Sequence, residues 1–305
     1  IKKYFYRIFY CSFMQIGIMG LGLLGYNIGL RLLNCNFKIN VYNRTSSKSS
    51  SLARSGAIVL DSPKKIGDQS SIVAICVTNY AAINDLCFKE DGLMDANNKN
   101  MTVLDFSTIT PKESEICYSK FKENGITYLN TPVMGGPAAA LEGKLIPIVS
   151  GEKSVYEKIS SVICNLGNPI YYVGDKPGLA NAIKLALNLN IGIIAVALSE
   201  GLILSESFGL DPSLYLKILN STYFKTGMSE NKGPRMIKGD YSPSFYLKHM
   251  KKDLSLVVGL AEDNDITLPI TNSVLHLFDY ASKMGLANFD YTAIYTLVKK
   301  LNGMK

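Results

Sequence analysis

The sequence predicts an α/β fold in which a doubly wound parallel sheet is followed by an all-helical region. Short apolar strand patterns alternate with helical patterns as far as Val173, which is typical of a parallel sheet built from βαβ units. No convincing strand pattern follows Pro177. We therefore expect a first domain over residues 14–177 and an all-helical second domain over residues 178–305, which begins with a long helix that joins the two.

The composition is that of a globular protein, with 47% hydrophobic and 19% charged residues and a net charge of +7. The basic residues are scattered, which argues against a nucleic-acid partner. The positive net charge then indicates only an attraction for small anionic substrates. The six cysteines form no Cys-x-x-Cys pair and there are two histidines, so we expect no metal site and a cytoplasmic location. The uncharged run from Leu185 to Ser199 is too short for a membrane span, and we expect no membrane segment.

Residues 1–13 are basic and aromatic and resemble no later element. They lack the small-residue cleavage site of a secretory signal. Met14 stands directly before the first strand pattern. A start at Met14, with an extension that is not native, is therefore left open beside a native extension.

The elements follow from apolar runs and helical periodicity. Strands are predicted at 15–19, 38–42, 57–60, 71–77, 101–105, near Tyr128, and at 145–150 and 170–173. Helices are predicted after the first strand to about Asn34, and at 62–68, 79–88, 110–124, 178–208, 212–220, 245–264, 269–286 and 290–301.

A glycine-rich turn connects the first strand to the first helix. It reads Gly20-Leu21-Gly22-Leu23-Leu24-Gly25, which is G-x-G-x-x-G in the context of strand, tight turn and helix. Gly20 permits the turn, Gly22 lets a pyrophosphate approach the backbone, and Gly25 allows close packing of helix on strand. This context favours dinucleotide binding over a glycine turn without a ligand.

The second strand ends in Asn43-Arg44-Thr45. Cofactors with a free ribose 2′-hydroxyl usually meet an acidic residue at this point. An arginine matches a 2′-phosphate instead, so NADP is favoured over NAD. The alternative is a surface arginine at a strand end.

Further cofactor contacts are expected where other strands end. These positions are Val77 and Thr78 after one strand and Ser107 and Thr108 after the next. Farther on, Gly135 and Gly136 follow a strand and Met134. Paired glycines can turn N–H groups toward an anion, although a purely structural turn is an equal alternative.

The long helix carries a polar stripe. At ~100° per residue, Asn181, Lys184 and Asn188 lie within ~60° of one another. The other positions are apolar on nearly every side, so we expect this helix to be buried almost all round. A lysine there is either one whose ammonium group reaches solvent or a catalytic lysine that lines a cleft between the domains.

Taken together, these motifs resemble the β-hydroxyacid dehydrogenases, the 3-hydroxyisobutyrate dehydrogenase family related to 6-phosphogluconate dehydrogenase. The likeness runs from about Met14 to the C-terminus. Its landmarks occur in the family's order at 20–25, 105–109, 131–136, 178–188, 200–202, 209–211 and 251–254.

The resemblance implies that Lys184 is the catalytic residue and that Asn188 orients the substrate. It also implies that Lys252 approaches the nicotinamide and that Thr108 contacts the cofactor. One departure concerns Met134, which replaces the serine that usually helps to hold the substrate carboxylate.

The expected function is an NADPH-dependent reductase, reversibly a dehydrogenase, acting on a small carboxylate that bears an aldehyde or β-hydroxyl group. Ser107, Met134 and the N–H groups of Gly135 and Gly136 would contact the substrate beside Lys184 and Asn188. The apolar helices and the resemblance predict a homodimer or homotetramer. Two alternatives remain: an imine reductase-like enzyme, which commonly lacks the lysine, and a catalytically silent NADP-binding module.

Overall fold

The computed structural model describes residues 14–304. The predicted N-terminal extension, residues 1–13, lies outside the described residues. The chain divides into two units, the first ending at Lys184 and the second beginning at Leu185. The division falls inside the long helix rather than at its start.

The first unit is built on a sheet of nine short strands. They are β1 (Gln15–Met19), β2 (Lys38–Tyr42), β3 (Ile58–Val59), β4 (Ile72–Ile75), β5 (Thr102–Asp105), β6 (Thr127–Asn130), β7 (Val133–Met134), β8 (Ile146–Ser150) and β9 (Tyr171–Gly174). Their order is β3-β2-β1-β4-β5-β6-β8-β7, with β9 beside β8. All pairs as far as β6 are parallel, and β8 is antiparallel to β6 and to β7.

The predicted doubly wound sheet is therefore confirmed, with an antiparallel edge that the sequence did not indicate. Strand β1 lies between β2 and β4, so the sheet grows first to one side of β1 and then to the other. Open α/β sheets bind ligands at such a reversal, outside the carboxyl ends of the strands. The glycine-rich turn leaves β1 at this point.

Within residues 14–178, seven α-helices cover the sheet. They are α1 (Leu23–Asn34), α2 (Ser46–Arg54), α3 (Pro63–Asp68), α4 (Tyr80–Cys87), α5 (Pro111–Glu123), α6 (Pro137–Glu142) and α7 (Lys153–Ile163). Side chains alternate between the two sheet faces along each strand. Ile18 packs in one buried cluster with Ile28 of α1, and its neighbour Met19 packs in the other with Ile83 of α4. Both faces are thus covered, as a parallel sheet requires.

The second unit is helical, as predicted. Helix α8 (Leu179–Ser207) carries the chain into it. The further helices are α9 (Pro212–Leu219), α10 (Gly227–Asn231), α11 (Gly233–Ile237), α12 (Leu247–Asp263), α13 (Pro269–Ala281) and α14 (Ile294–Leu301). Their core includes Ala195 of α8, Leu254 of α12, Phe278 of α13 and Ile294 of α14.

Helix α8 is less buried than its sequence predicts. Ile183 is 41% exposed and Leu204 is 64% exposed, so the expectation of burial almost all round is wrong. The helix is packed on only part of its circumference, and apolar residues continue on the side that this chain leaves uncovered. Among residues 14–304 it is also the one helix whose length and composition would allow a membrane span, and 44% of its most apolar stretch is buried in the fold.

Several short helices were not predicted. Helix α2 is an example: its sequence is dominated by serine, and only Ser49 and Leu52 of its residues are buried. Helices α6, α7, α10 and α11 were missed as well. In four of them periodicity is a weak signal because one or two buried residues do not define an apolar stripe. Helix α7 is different: Ile159, Val162 and Ile163 are buried at helical spacing, so its pattern was present in the sequence and was overlooked.

A buried ion pair holds the segment that leads into α12. The carboxylate of Asp290 accepts from Lys232 Nζ at 2.7 Å and from the N–H of Ser244 at 2.9 Å. Burial by itself would raise the pKa of Asp290, but the hydrogen bond and charge of Lys232 outweigh it and lower the pKa below the usual 3.8. The ionised carboxylate therefore fixes the chain just before the helix that carries Lys252.

Candidate cofactor and catalytic site

The three glycines of the loop after β1 have different surroundings. Gly20 has a φ of +94°, and a Cβ there would collide with the carbonyl oxygen of Cys76. A Cβ on Gly25 would collide with the carbonyl oxygen of Gly20. By contrast, a Cβ on Gly22 would meet no atom within 4 Å. The loop is packed at its ends and open in the middle, which is the form that a pyrophosphate needs for close approach.

The start of helix α1 is suited to an anion. Gly22 is its N-cap residue, no side chain caps the helix, and its first turn holds no acidic residue. The free N–H groups and the positive end of the helix dipole therefore point to the open space at Gly22. Leu23 and Leu24 form this first turn, and the side chain of Leu21 is buried in the core. These residues fit a dinucleotide.

Asn43 links the glycine loop to the end of β2. Its Oδ1 accepts from the N–H of Leu21 at 2.9 Å, and its Nδ2 donates to the carbonyl oxygen of Thr45 at 2.9 Å. The side chain predicted to contact the cofactor thus also ties two loops together. Arg44 and Thr45 are exposed at the start of α2, where their side chains can be reached by a ligand.

The ends of β4 and β5 are tied to each other. Ser107 Oγ accepts from the N–H of Val77 at 3.1 Å, and Ser107 N–H donates to Asp105 Oδ1 at 2.9 Å. Ser107 is 1% exposed, so its hydroxyl group serves the loop in this structure. Thr78 is exposed and Thr108 is half-buried at the same edge of the sheet.

Lys184 meets Met134 within the first unit. Its Nζ lies 3.3 Å from Met134 Sδ. Gly135 and Gly136 follow Met134 directly; Gly135 is exposed and Gly136 is half-buried. Of the predicted substrate residues, Met134 is therefore in contact with the predicted catalytic amine, and Gly135 and Gly136 are its neighbours in sequence.

The first turn of helix α8 is fixed by polar groups of the first unit. Asn130 Oδ1 accepts from the N–H of Gly178 at 2.8 Å, and Ser150 Oγ accepts from the N–H of Ala180 at 3.1 Å. Asn181 Nδ2 donates to Ser114 Oγ at 3.0 Å. Asn181 thus shares a stripe with Lys184 in sequence but serves as an anchor of the helix.

In the second unit, Asp253 joins the two remaining predicted residues. Its Oδ2 accepts from Asn188 Nδ2 at 2.6 Å, and its Oδ1 lies 2.8 Å from Lys252 Nζ. Asp253 is 1% exposed. Burial, followed by the charge of Lys252, lowers the pKa of His249 to about 4, so this neighbouring imidazole is neutral at pH 7.

Sequence reasoning missed Asp253 as a site residue, although it lies in the recognised 251–254 landmark. A signal was present: Asp253 falls on the buried face of α12, with Met250 and Val257 at helical spacing. A carboxylate on an apolar face needs a partner, and here the partners are Asn188 and Lys252. Among the described residues, no group of three or more His, Cys, Asp and Glu side chains is placed to hold a metal ion.

Two family models match the chain. Residues 15–174 match the NAD binding domain of 6-phosphogluconate dehydrogenase. Residues 178–298 match a model described as NAD-binding of NADP-dependent 3-hydroxyisobutyrate dehydrogenase. The first match ends with β9 and the second begins just before α8.

Similar proteins cover nearly the whole chain. Glyoxylate/succinic semialdehyde reductase 1 of Arabidopsis thaliana is 30% identical over 94% of this chain and 99% of its own length. Cytokine-like nuclear factor N-PAC of Drosophila melanogaster is 31% identical over 93% of this chain and 47% of its own length. The solved structure of Psf3 in complex with NADP+ and 2-OPP has a TM-score of 0.86 and 26% identity, and the match covers 93% of this chain and 99% of that one.

The glycine loop yields a test that separates binding from folding. We predict that Gly22→Ala keeps its thermal stability, because the new Cβ meets no protein atom and a φ of −73° suits alanine. It should weaken the binding of NADPH by about tenfold or more, or ~1.4 kcal/mol, as measured by fluorescence titration.

Gly25→Ala is the matched comparison. Its Cβ would collide with the backbone of Gly20, so this variant should lose ~1–3 kcal/mol of stability in denaturant unfolding. Wild-type affinity for NADPH in Gly22→Ala would contradict pyrophosphate binding at this loop.

Proposed function

Because the chain belongs to the family of 6-phosphogluconate and 3-hydroxyisobutyrate dehydrogenases, we propose that it is an NADP-dependent reductase, reversibly a dehydrogenase. Its substrate is a small carboxylate that bears an aldehyde or β-hydroxyl group. The observation that carries this proposal is the contact of the Lys184 amine with Met134, the residue directly before the paired glycines. That amine belongs to the unit whose sheet also carries the open glycine loop.

The cofactor would be held by residues at the carboxyl ends of the strands. The open backbone at Gly22 would take the pyrophosphate, and Arg44 with Thr45 would take the 2′-phosphate. Thr78 and Thr108, at the ends of β4 and β5, would contact the remaining part of the cofactor. When bound, the nicotinamide supplies or accepts the hydride.

Lys184 would donate the proton in one direction of the reaction and accept it in the other. In the reducing direction its ammonium group hydrogen-bonds the carbonyl oxygen and donates a proton to it as that oxygen becomes a hydroxyl group. In the reverse direction its neutral amine takes the proton back. Asn188, one helical turn farther on in α8, would orient the substrate, with its Nδ2 group already held by Asp253. Lys252 would contribute positive charge toward the nicotinamide.

Met134 bears on the substrate class. A thioether has no hydrogen to donate and accepts only weakly, so this side chain does not hold a carboxylate. The N–H groups of Gly135 and Gly136 are the donors next to it, and we assign the carboxylate to them. The side of the substrate that faces Met134 would then be apolar. A panel of glyoxylate, succinic semialdehyde, methylmalonate semialdehyde and tartronate semialdehyde, followed by NADPH oxidation, identifies the substrate.

The second candidate function is a catalytically silent NADP-binding module. One similar protein, N-PAC, is named a nuclear factor and not an enzyme, which keeps this candidate, whereas the retained Lys184 and its contact with Met134 favour the enzyme. NADPH binding without oxidation across the substrate panel would support the silent module.

The role of Lys184 is tested by Lys184→Ala. We predict that kcat falls by ~10²–10⁴-fold or more because the proton donor is lost. The affinity for NADPH, measured by titration, should stay close to wild type. Lys176→Ala is the control, since Lys176 is an exposed lysine close in sequence that pairs with Glu115 at the surface. More than a tenth of the wild-type activity in Lys184→Ala would refute the assignment.

Cofactor choice is tested at Arg44. A charge-assisted hydrogen bond to the 2′-phosphate contributes ~1.5–3 kcal/mol, so NADPH should be preferred over NADH by at least about tenfold in kcat/KM. Arg44→Asp should erase or invert this preference, since a carboxylate repels the phosphate. Arg54→Asp makes the same charge change at the other end of α2 and should leave the preference intact. Equal kcat/KM values for the two cofactors in the wild type would contradict NADP specificity.

We include self-association in the proposal. Leu204 and Phe208, at the end of α8, and Ile218 of α9 are more than half exposed, and apolar side chains of this kind are commonly covered by a second copy. The expected state is a homodimer or homotetramer, measured by light scattering at micromolar concentration. A mass near the 33.4 kDa of one chain would exclude it.

A further inference from the structure

A chain of buried hydrogen bonds leads from the start of helix α8 into the sheet. Asn130 Oδ1 accepts from the N–H of Gly178 at 2.8 Å. The other end of the same amide, Nδ2, donates to Tyr128 Oη at 3.0 Å. Tyr128 Oη in turn donates to Asp105 Oδ2 at 2.7 Å. Each of the three side chains is almost fully buried.

The same carboxylate continues to the cofactor edge of the sheet. Asp105 Oδ1 accepts from the N–H of Ser107 at 2.9 Å, and Ser107 Oγ accepts from the N–H of Val77 at 3.1 Å. Val77 and Ser107 stand at the ends of β4 and β5, where the cofactor is expected. One continuous path of hydrogen-bonded residues therefore joins the expected cofactor loops to Gly178, the residue directly before helix α8.

The direction of these bonds is fixed by the tyrosine. Burial, followed by the charge of Asp105, raises the pKa of Tyr128 well above its usual value. The phenol therefore keeps its single hydrogen, which it donates to Asp105, and its oxygen accepts from Asn130. An amide that donates through Nδ2 must present Oδ1 on the opposite side. Tyr128 thus selects the amide orientation in which Asn130 accepts from Gly178.

We propose that Tyr128 is a positioning residue for the reaction: through Asn130 it fixes the start of α8 relative to Asp105, whose other oxygen holds the loops at the cofactor edge. Tyr128 thereby helps to place the proton donor Lys184 relative to the cofactor loops, together with the bonds of Ser150 and Ser114 to the same end of α8. This inference rests on the proposed function of Lys184.

Small displacements matter at this place. Lys184 lies six residues after Gly178, less than two helical turns, so a change at the helix start is carried to its amine. A misplacement of ~1 Å in a reacting group can cost ~10²-fold in rate. The position before the helix has little freedom, since Gly178 has a φ of +88° and a Cβ there would lie 2.7 Å from Pro111 Cα.

The test is Tyr128→Phe, which removes the hydroxyl group and keeps the ring stacked on Phe121 at 5.3 Å. We expect kcat to fall by about tenfold or more, while the dissociation constant of NADPH changes by less than about twofold. Hydrogen exchange should become faster at the N–H of Gly178 because its acceptor is no longer held.

Phe121→Leu is the matched control for loss of stability. It removes core volume beside the Tyr128 ring and leaves every hydrogen bond of the path in place. It should lower the melting temperature and keep kcat close to wild type. If Phe121→Leu lowers kcat as much as Tyr128→Phe does at an equal loss of melting temperature, the role of Tyr128 is only structural and the inference is wrong.

A double-mutant cycle tests the path itself. Asn130→Ala removes the acceptor of Gly178 and should lower kcat by a similar factor, and its combination with Tyr128→Phe should cost little more than either change alone. Additive losses would overturn the inference, as would a wild-type kcat in Tyr128→Phe. A failure of the proposed function would be seen in a different experiment, because activity would then survive in Lys184→Ala.

Discussion

The N–H of Gly178 and the amide oxygen of Asn130 form the hydrogen bond on which the candidate site depends. It holds the chain where the last strand of the first unit gives way to α8. The bonds from Ala180 to Ser150 and from Asn181 to Ser114 secure the next turn. The first N–H groups of a helix have no partner within the helix, and here Ser150 of the sheet accepts from one of them, the N–H of Ala180. The amine of Lys184 is thereby presented from a fixed helix end rather than from a mobile loop.

The cofactor edge of the same sheet is organised by side chains that bind backbone groups. Asn43 joins the glycine loop to the end of β2, and Ser107 joins the ends of β4 and β5. Each bond joins neighbouring strand ends through groups of the protein itself. Such preorganisation lowers the cost of ordering the loops when a ligand binds. Gly22 is left open between these tied segments, and the start of α1 next to it is suited to an anion.

In the second unit, a buried carboxylate holds other side chains of the predicted site in place. Asp253 is buried on α12 and takes a hydrogen bond from Asn188 of α8 and a charge contact from Lys252. Replacing either partner would leave a buried carboxylate less well compensated, which is costly. Asn188 and Lys252 are therefore coupled through a residue that is nearly inaccessible to solvent.

Four features could be predicted from the amino-acid sequence alone: the alternation that gives the doubly wound sheet, the glycine loop, the helical second unit and the stripe that contains Lys184. Each of these depends on local spacing, which periodicity and turn chemistry report directly. Three contacts could be identified only in the folded protein: Asn181 with Ser114, Asn188 with Asp253, and Asn43 with Leu21. The partners lie 67, 65 and 22 residues away. The helical period gives the direction in which a side chain leaves its helix, but the group it meets is set by how distant segments pack. The same reason explains the wrong expectation for α8: an apolar sequence shows that burial is favourable, and the packing decides how much of it this chain supplies.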